Sequence, residues 1–206
     1  MHKEKNWTLE HIHAQDSDYL SRDDQKSWFI WIDEHIPVLT SFIGIDSIPE
    51  ENKIELNLIL ENLKISKINQ KLDFSTFLNE FNRVIKFFEV LNNLNGDANA
   101  VHLLSNMALL GGIENTILSN SIFETKRKEI LKMDAVGKYI PLCTKYVFLK
   151  YHNVNEENFS NQQLYFWGEN DRKNYLAHIK EILSEYYSTE MLSPITEVIN
   201  QNLIEE

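Results

Sequence analysis

Glu10 and His11 stand side by side near the start of the 206-residue chain, and far downstream Asn106 and Asn115 stand nine residues apart. These residue types suit hydrolysis of a phosphodiester. A neutral imidazole takes a proton from water near neutral pH, and an oxygen-ligated divalent cation stabilises the leaving oxygen. Magnesium keeps several of its own waters, so one carboxylate and one Asn carbonyl oxygen are sufficient protein ligands. A Glu-His dipeptide alone is usually a surface accident. Its weight comes from the elements around it.

The run Trp7-Thr8-Leu9-Glu10-His11-Ile12 is short and rich in aromatic and β-branched residues, so residues 7–12 read as a strand, and alternation puts His11 and His13 on one face. Trp28-Phe29-Ile30-Trp31-Ile32, with Ile36, Val38 and Leu39, suits a buried helix bent near Pro37. Ser47 and Glu50 have the spacing of a capping box for a helix carrying Ile54, Leu56, Ile59, Leu60 and Leu63. From Phe74 to Leu91 apolar residues recur at three and four, an amphipathic helix of about five turns. Met107-Ala108-Leu109-Leu110 reads as a second short strand ended by Gly111-Gly112. Ser119, Asn120 and Ser121 are N-cap candidates for a helix through Lys126, Ile130 and Met133 that Gly137 closes. Further helices are expected over residues 141–151, 169–187 and 195–203. Strand, long helical insertion, strand, helix is the outline of a ββα-metal site.

This order resembles the HNH, or His-Me finger, nucleases, specifically the version at the C-terminus of GmrSD-type modification-dependent restriction proteins. The matching blocks are Leu9-Glu10-His11-Ile12-His13-Ala14-Gln15, His102-Leu103-Leu104-Ser105-Asn106-Met107-Ala108-Leu109-Leu110, then Asn115 and Leu118 through Arg127, with a looser match from Tyr139 to Tyr151. The resemblance implies that Glu10 and Asn115 bind a magnesium or manganese ion and that His11 is the general base. It implies that Asn106 pins the loop carrying the histidine through hydrogen bonds to backbone. Lys126 and Arg127 would lie near scissile or flanking phosphates, where a cation stabilises developing charge; with His13 they are the expected nucleic-acid contacts, and Lys126 also serves catalysis. His102 and Asn120 are additional candidates. His13 and His102 fit structural roles equally well, and Asn120 fits a helix N-cap as well as a rival ligand to Asn115. This chain departs from the general pattern in carrying Glu rather than Asp before the histidine, Ala14 where a Pro is common, and Ser105 where Gly often precedes the middle Asn.

Composition excludes several alternatives. A single cysteine rules out a disulfide framework and thiolate-held zinc, and Cys143 itself reads as a small core residue in a reducing cytoplasm. No apolar run has the length of a membrane span, and the start Met1-His2-Lys3-Glu4-Lys5 lacks a signal-peptide core. The net charge of −11 opposes nucleic-acid binding, but it is unevenly spread. Residues 122–150 carry seven basic and three acidic side chains, whereas residues 16–62 carry three and eleven. Trp28, Trp31 and the phenylalanines of residues 74–88 have the spacing of buried helix faces, while Tyr165, Phe166 and Trp167 suit packing or a base-stacking platform.

Together these features predict a mostly helical α+β protein, a single nuclease domain over residues 1–206. Residues 7–15 and 101–135 form its ββα-metal core, 16–100 a helical insertion, and 136–206 a C-terminal helical region. The expected function is metal-dependent hydrolysis of DNA in restriction or phage defence. Relatives carry this block after a long upstream portion, so the chain reads as the C-terminal part of a larger or split protein. An upstream nucleotide-hydrolysing or DNA-sensing domain or subunit is then the expected partner. Two cuts require a dimer or sequential nicks, which keeps a homo-oligomer open. The acidic flanking segments motivate two other classes: a catalytically silent helical interaction module that retains the nuclease frame, and an RNase-type effector.

Overall fold

Strands β1 (Trp7–His11) and β2 (Met107–Gly111) pair antiparallel in the computed structural model, with Thr8 opposite Leu110, Glu10 opposite Ala108 and His11 opposite Met107. The structure describes residues 7–13, 22–46, 48–91, 103–111, 120–151 and 164–186. Ala108 and Leu110 are buried, so the sheet face they share with Glu10 is turned inward, while Leu9 on the opposite face is exposed. β1 ends one residue earlier than its alternation suggests. Beyond His11 the chain bends, Ile12 and His13 are both wholly buried, and His11 and His13 do not share a strand face.

Between the strands lie α1 (Gln25–Ile43), α2 (Glu50–Asn69) and α3 (Phe74–Leu91). Asp24 caps α1 by accepting from the Ser27 amide, and Asp73 caps α3 through the amide and hydroxyl of Thr76. Pro37 lies inside α1, removing one intrahelical donor. α2 opens from Pro49, which makes no side-chain cap bond, in place of the expected Ser47–Glu50 capping box; Ser47 lies outside the described residues. The apolar faces of the three helices meet in one cluster containing Trp28, Trp31, Ile32, Phe42, Phe77, Phe81 and Phe88. Trp28 stacks on Phe77 at 5.3 Å, which accounts for these aromatics as core.

After β2 come α4 (Phe123–Ala135), α5 (Leu142–Leu149) and α6 (Glu169–Ser184). Gly137 closes α4 in the left-handed region with φ +76°, a conformation glycine adopts without steric cost. These helices cover the inner sheet face with a second cluster of Ile12, Ala108, Leu110, Phe123, Ile130, Met133, Phe148 and Trp167. Trp167 stacks on Phe123 at 5.7 Å, and Tyr165 and Phe166 lie against Phe42, so this aromatic trio packs. Cys143 is exposed, contrary to its reading as core, because α5 turns Thr144, Val147 and Phe148 inward. The expected helix over residues 195–203 falls outside the described residues. The molecule is thus a mostly helical α+β protein whose small sheet has a helical block inserted between its strands, and no described helix is long and apolar enough to cross a membrane.

The two clusters adjoin where α1 meets α4. Half-buried Glu34 of α1 is influenced there by Glu129 and Lys132 of α4; burial first, then the Glu129 carboxylate, pushes its pKa up to about 7. A raised carboxylate pKa means that stability present at acid pH is lost as pH rises through the folded value. Glu34→Gln is therefore expected to match the wild type near pH 4 and to exceed its stability by about 1–2 kcal/mol above pH 7, after discounting for solvent screening. Urea midpoints across that range check this; a difference that does not vary with pH would exclude the assignment.

Candidate active site

At the end of β1 the ladder hands over to Asn106, the last residue of a 3₁₀ turn (Leu104–Asn106) leading into β2. The Asn106 carbonyl accepts the Ile12 amide at 2.8 Å, its side-chain Oδ1 accepts the His13 amide at 3.2 Å, and its own amide donates to Leu103 at 2.8 Å. Asn106 is 2% exposed, so these bonds are shielded from water. One residue thus holds both amides that follow His11. The turn is braced from α6's side as well: Trp167 Nε1 donates to the Ser105 carbonyl at 3.0 Å, and Arg172 Nη1 donates to the Trp167 carbonyl at 3.1 Å.

Lys126, in the first turns of α4, reaches the end of β1 from the inner side. Its ammonium donates to the His11 carbonyl at 2.5 Å and to Glu10 Oε1 at 3.3 Å. The lysine is wholly buried and the Glu10 side chain 14% exposed. Burial pulls the Lys126 pKa down to about 8, and Glu10 opposes that shift. Lys126 and Asn106 thus meet the Glu10 carboxylate and the backbone of residues 11–13, while strand alternation turns the His11 side chain to the sheet face opposite Glu10. His11 is partly exposed at the strand end. Asn115 and His102 lie outside the described residues.

His13 and Lys126 require correction as nucleic-acid contacts, because both are 0% exposed and a buried group cannot touch a phosphate. His13 lies with both ring nitrogens buried and unbonded. Burial, then the nearby Lys126 and Arg172 charges, lowers its pKa to about 3, so the ring is neutral. Lys126 serves as an internal clamp rather than a cation facing a phosphate. Arg127 keeps some exposure, but its Nη1 is bound to Glu124 at 3.2 Å on the same helix.

Neither Asn120 nor Ser121 caps α4, and Ser119 lies outside the described residues. The N-cap residue is Ile122, with no side-chain cap bond, and Asn120 takes a left-handed conformation with φ +63°. Asn120's carbonyl accepts from Trp31 Nε1 at 2.9 Å, and the Ile122 amide donates to His35 Nε2 at 3.3 Å. Sequence reasoning passed over Trp31 and His35 here; their spacing of four on α1, which puts them on one helix face, was the available signal.

Among the described residues no three His, Cys, Asp or Glu side chains are grouped to hold a metal ion. Lys126 engages Oε1 of Glu10, leaving Oε2 as the donor a cation would take. A single carboxylate oxygen at a partly exposed strand end fits an oxygen-preferring ion such as magnesium or manganese, which retains much of its water shell, and does not fit zinc. No protein-family model matches the chain, and no curated protein or solved structure matches it.

Proposed function

We propose that this chain is a metal-dependent endonuclease of the His-Me finger type that hydrolyses DNA phosphodiester bonds, with His11 as general base. The observation that carries this reading is the held end of β1: Asn106 fixes the amides of Ile12 and His13, while Lys126 fixes the His11 carbonyl and Glu10. A base is useful only when its approach to water is fixed, and these bonds restrain the backbone from the His11 carbonyl through the His13 amide. The imidazole takes the proton of the attacking water. Glu10 Oε2, with Asn115 by resemblance, would hold a magnesium or manganese ion, which when bound supplies charge stabilisation for the leaving oxygen. A role in cytoplasmic restriction or phage defence, and dependence on an upstream nucleotide-hydrolysing or DNA-sensing partner, rest on the same resemblance. An upstream partner would supply the DNA affinity that an acidic chain lacks.

Conversion of supercoiled plasmid to nicked circles, on plain and base-modified DNA with magnesium or manganese and with chelator as control, tests this reading. Metal-dependent nicking is the expected result. Two observations favour a second reading, the silent interaction module: the excess of eight acidic charges over residues 16–62 and the Lys126 ammonium already seated on Glu10. Absence of nicking on every substrate, together with absence of manganese binding, would select the module. Cleavage of structured RNA in preference to plasmid would select an RNase.

A further inference from the structure

We propose that Trp31 and His35, in the helical insertion, are positioning residues of the active site: they set where α4 begins and so hold Lys126 on Glu10 and on the His11 carbonyl. As a statement about catalysis this rests on the nuclease reading; as a statement about Lys126 it stands on geometry.

The two rings stack at 3.9 Å, one turn apart on α1. His35 Nδ1 lies 2.7 Å from the Trp31 carbonyl, and a carbonyl only accepts, so Nδ1 carries the hydrogen. Nε2 is then the acceptor, and the Ile122 amide donates to it. Both contacts demand the same neutral tautomer. The buried ring remains neutral across the working range because burial lowers its pKa to about 3, against the bond to Trp31; Lys126 lowers it further. Trp31 Nε1 meanwhile holds the Asn120 carbonyl.

These bonds replace a local cap. The hydroxyls of Ser121 and Thr125, which would ordinarily serve a helix start, are buried without a hydrogen-bond partner. Ile122 is wholly buried in the α1–α3 cluster, whereas Phe123 belongs to the cluster under the sheet. The chain therefore crosses from one core to the other between these residues. Ile122 receives His35 on its amide, and its carbonyl accepts the Lys126 amide at 3.1 Å. A continuous hydrogen-bonded path runs from Trp31 through His35, Ile122 and Lys126 to Glu10 and His11. α1 contacts the catalytic strand through this path while lying outside the strand–helix core.

The test compares His35→Leu, which removes the acceptor, with His35→Gln, whose carboxamide oxygen can take its place. Two readouts are used on the full chain. The first is the rate of Lys126 acylation by an amine-reactive ester, followed by peptide mass spectrometry. The second is plasmid nicking separated into kcat and KM. In His35→Leu, Lys126 labelling should rise at least about tenfold and kcat should fall about 10–100-fold with KM for DNA unchanged, as a misplacement near 1 Å would give. His35→Gln should restore most of both.

Wild-type labelling in a folded His35→Leu overturns the proposal. If that variant does not fold, Trp31→Phe keeps the ring packing and removes only the donor to Asn120; labelling should then rise about threefold, and an unchanged rate overturns the proposal. Wild-type protein that never nicks DNA, with Lys126 labelling that still answers to His35, overturns the nuclease reading alone.

Discussion

His11→Ala should lower the rate of plasmid nicking by about 10²–10⁴-fold, the usual contribution of a positioned general base. The fall should lie in kcat, because the imidazole acts on water in the transition state rather than on ground-state DNA. Stability should change little. His11 is partly exposed, and the Lys126 ammonium holds it through a backbone carbonyl that alanine also has. Its unfolding midpoint should remain near the wild type, within about 0.5 kcal/mol, as for most partly exposed substitutions. His13→Ala supplies the contrast. That ring is wholly buried, so its removal leaves a cavity and should lower stability by a margin visible in the same melt. Equal loss of nicking in both variants, in step with equal loss of stability, would mean that His11 acts by holding the fold, and the catalytic assignment would fail.

What the sequence disclosed follows from the range of the interactions concerned. The helix carrying Phe74 to Leu91 is legible because its apolar residues recur at the helical period, a pattern that survives whatever packs against it. β1 and β2 are legible from short apolar runs, and Gly137 from the left-handed turn that closes α4. The start of α4 is not legible locally because the Ile122 amide there is held by His35, 87 residues away, and no local sequence pattern reports a donor–acceptor pair that distant. The same holds for Lys126. On sequence it belongs to a basic run and suggests a phosphate contact; in the fold, rotation of α4 turns it inward to Glu10, 116 residues away. His13 followed strand alternation on paper, but Asn106 ends the ladder after His11 and draws the next two residues into the core. The pairing of Glu10 with His11 was visible in sequence. The groups that hold the pair in place became visible only in three dimensions.

Glu10→Ala should destabilise the metal-free protein by about 2–3 kcal/mol at pH 7, well beyond a surface carboxylate's contribution, because it strips a wholly buried ammonium of its counter-charge. Breaking a buried pair ordinarily costs about 3–5 kcal/mol, but Lys126 has an escape: it can release its proton. With the wild-type lysine already pulled down to about 8, neutralising it at pH 7 adds only about 1.4 kcal/mol, and the lost hydrogen bond adds about 1 kcal/mol. The sign of the pH dependence follows. A lysine whose folded pKa is lowered further loses stability as pH falls, so the deficit of Glu10→Ala should widen by about 1.4 kcal/mol per pH unit from pH 8 toward pH 6. By pH 9 it should shrink toward the hydrogen-bond contribution alone. Lys126→Met in the Glu10→Ala background removes the stranded charge, and it should recover most of the loss and flatten the pH dependence. Urea midpoints of wild type, both single variants and the double variant, in chelator between pH 6 and 9, measure the coupling directly. A deficit that is constant across that range would show that Lys126 carries no charge toward Glu10. The double variant also governs how a metal-binding defect in Glu10→Ala is to be read. Loss of manganese binding that persists when Lys126→Met has restored stability can be assigned to the missing carboxylate, whereas loss that the second substitution repairs belongs to the ammonium left behind.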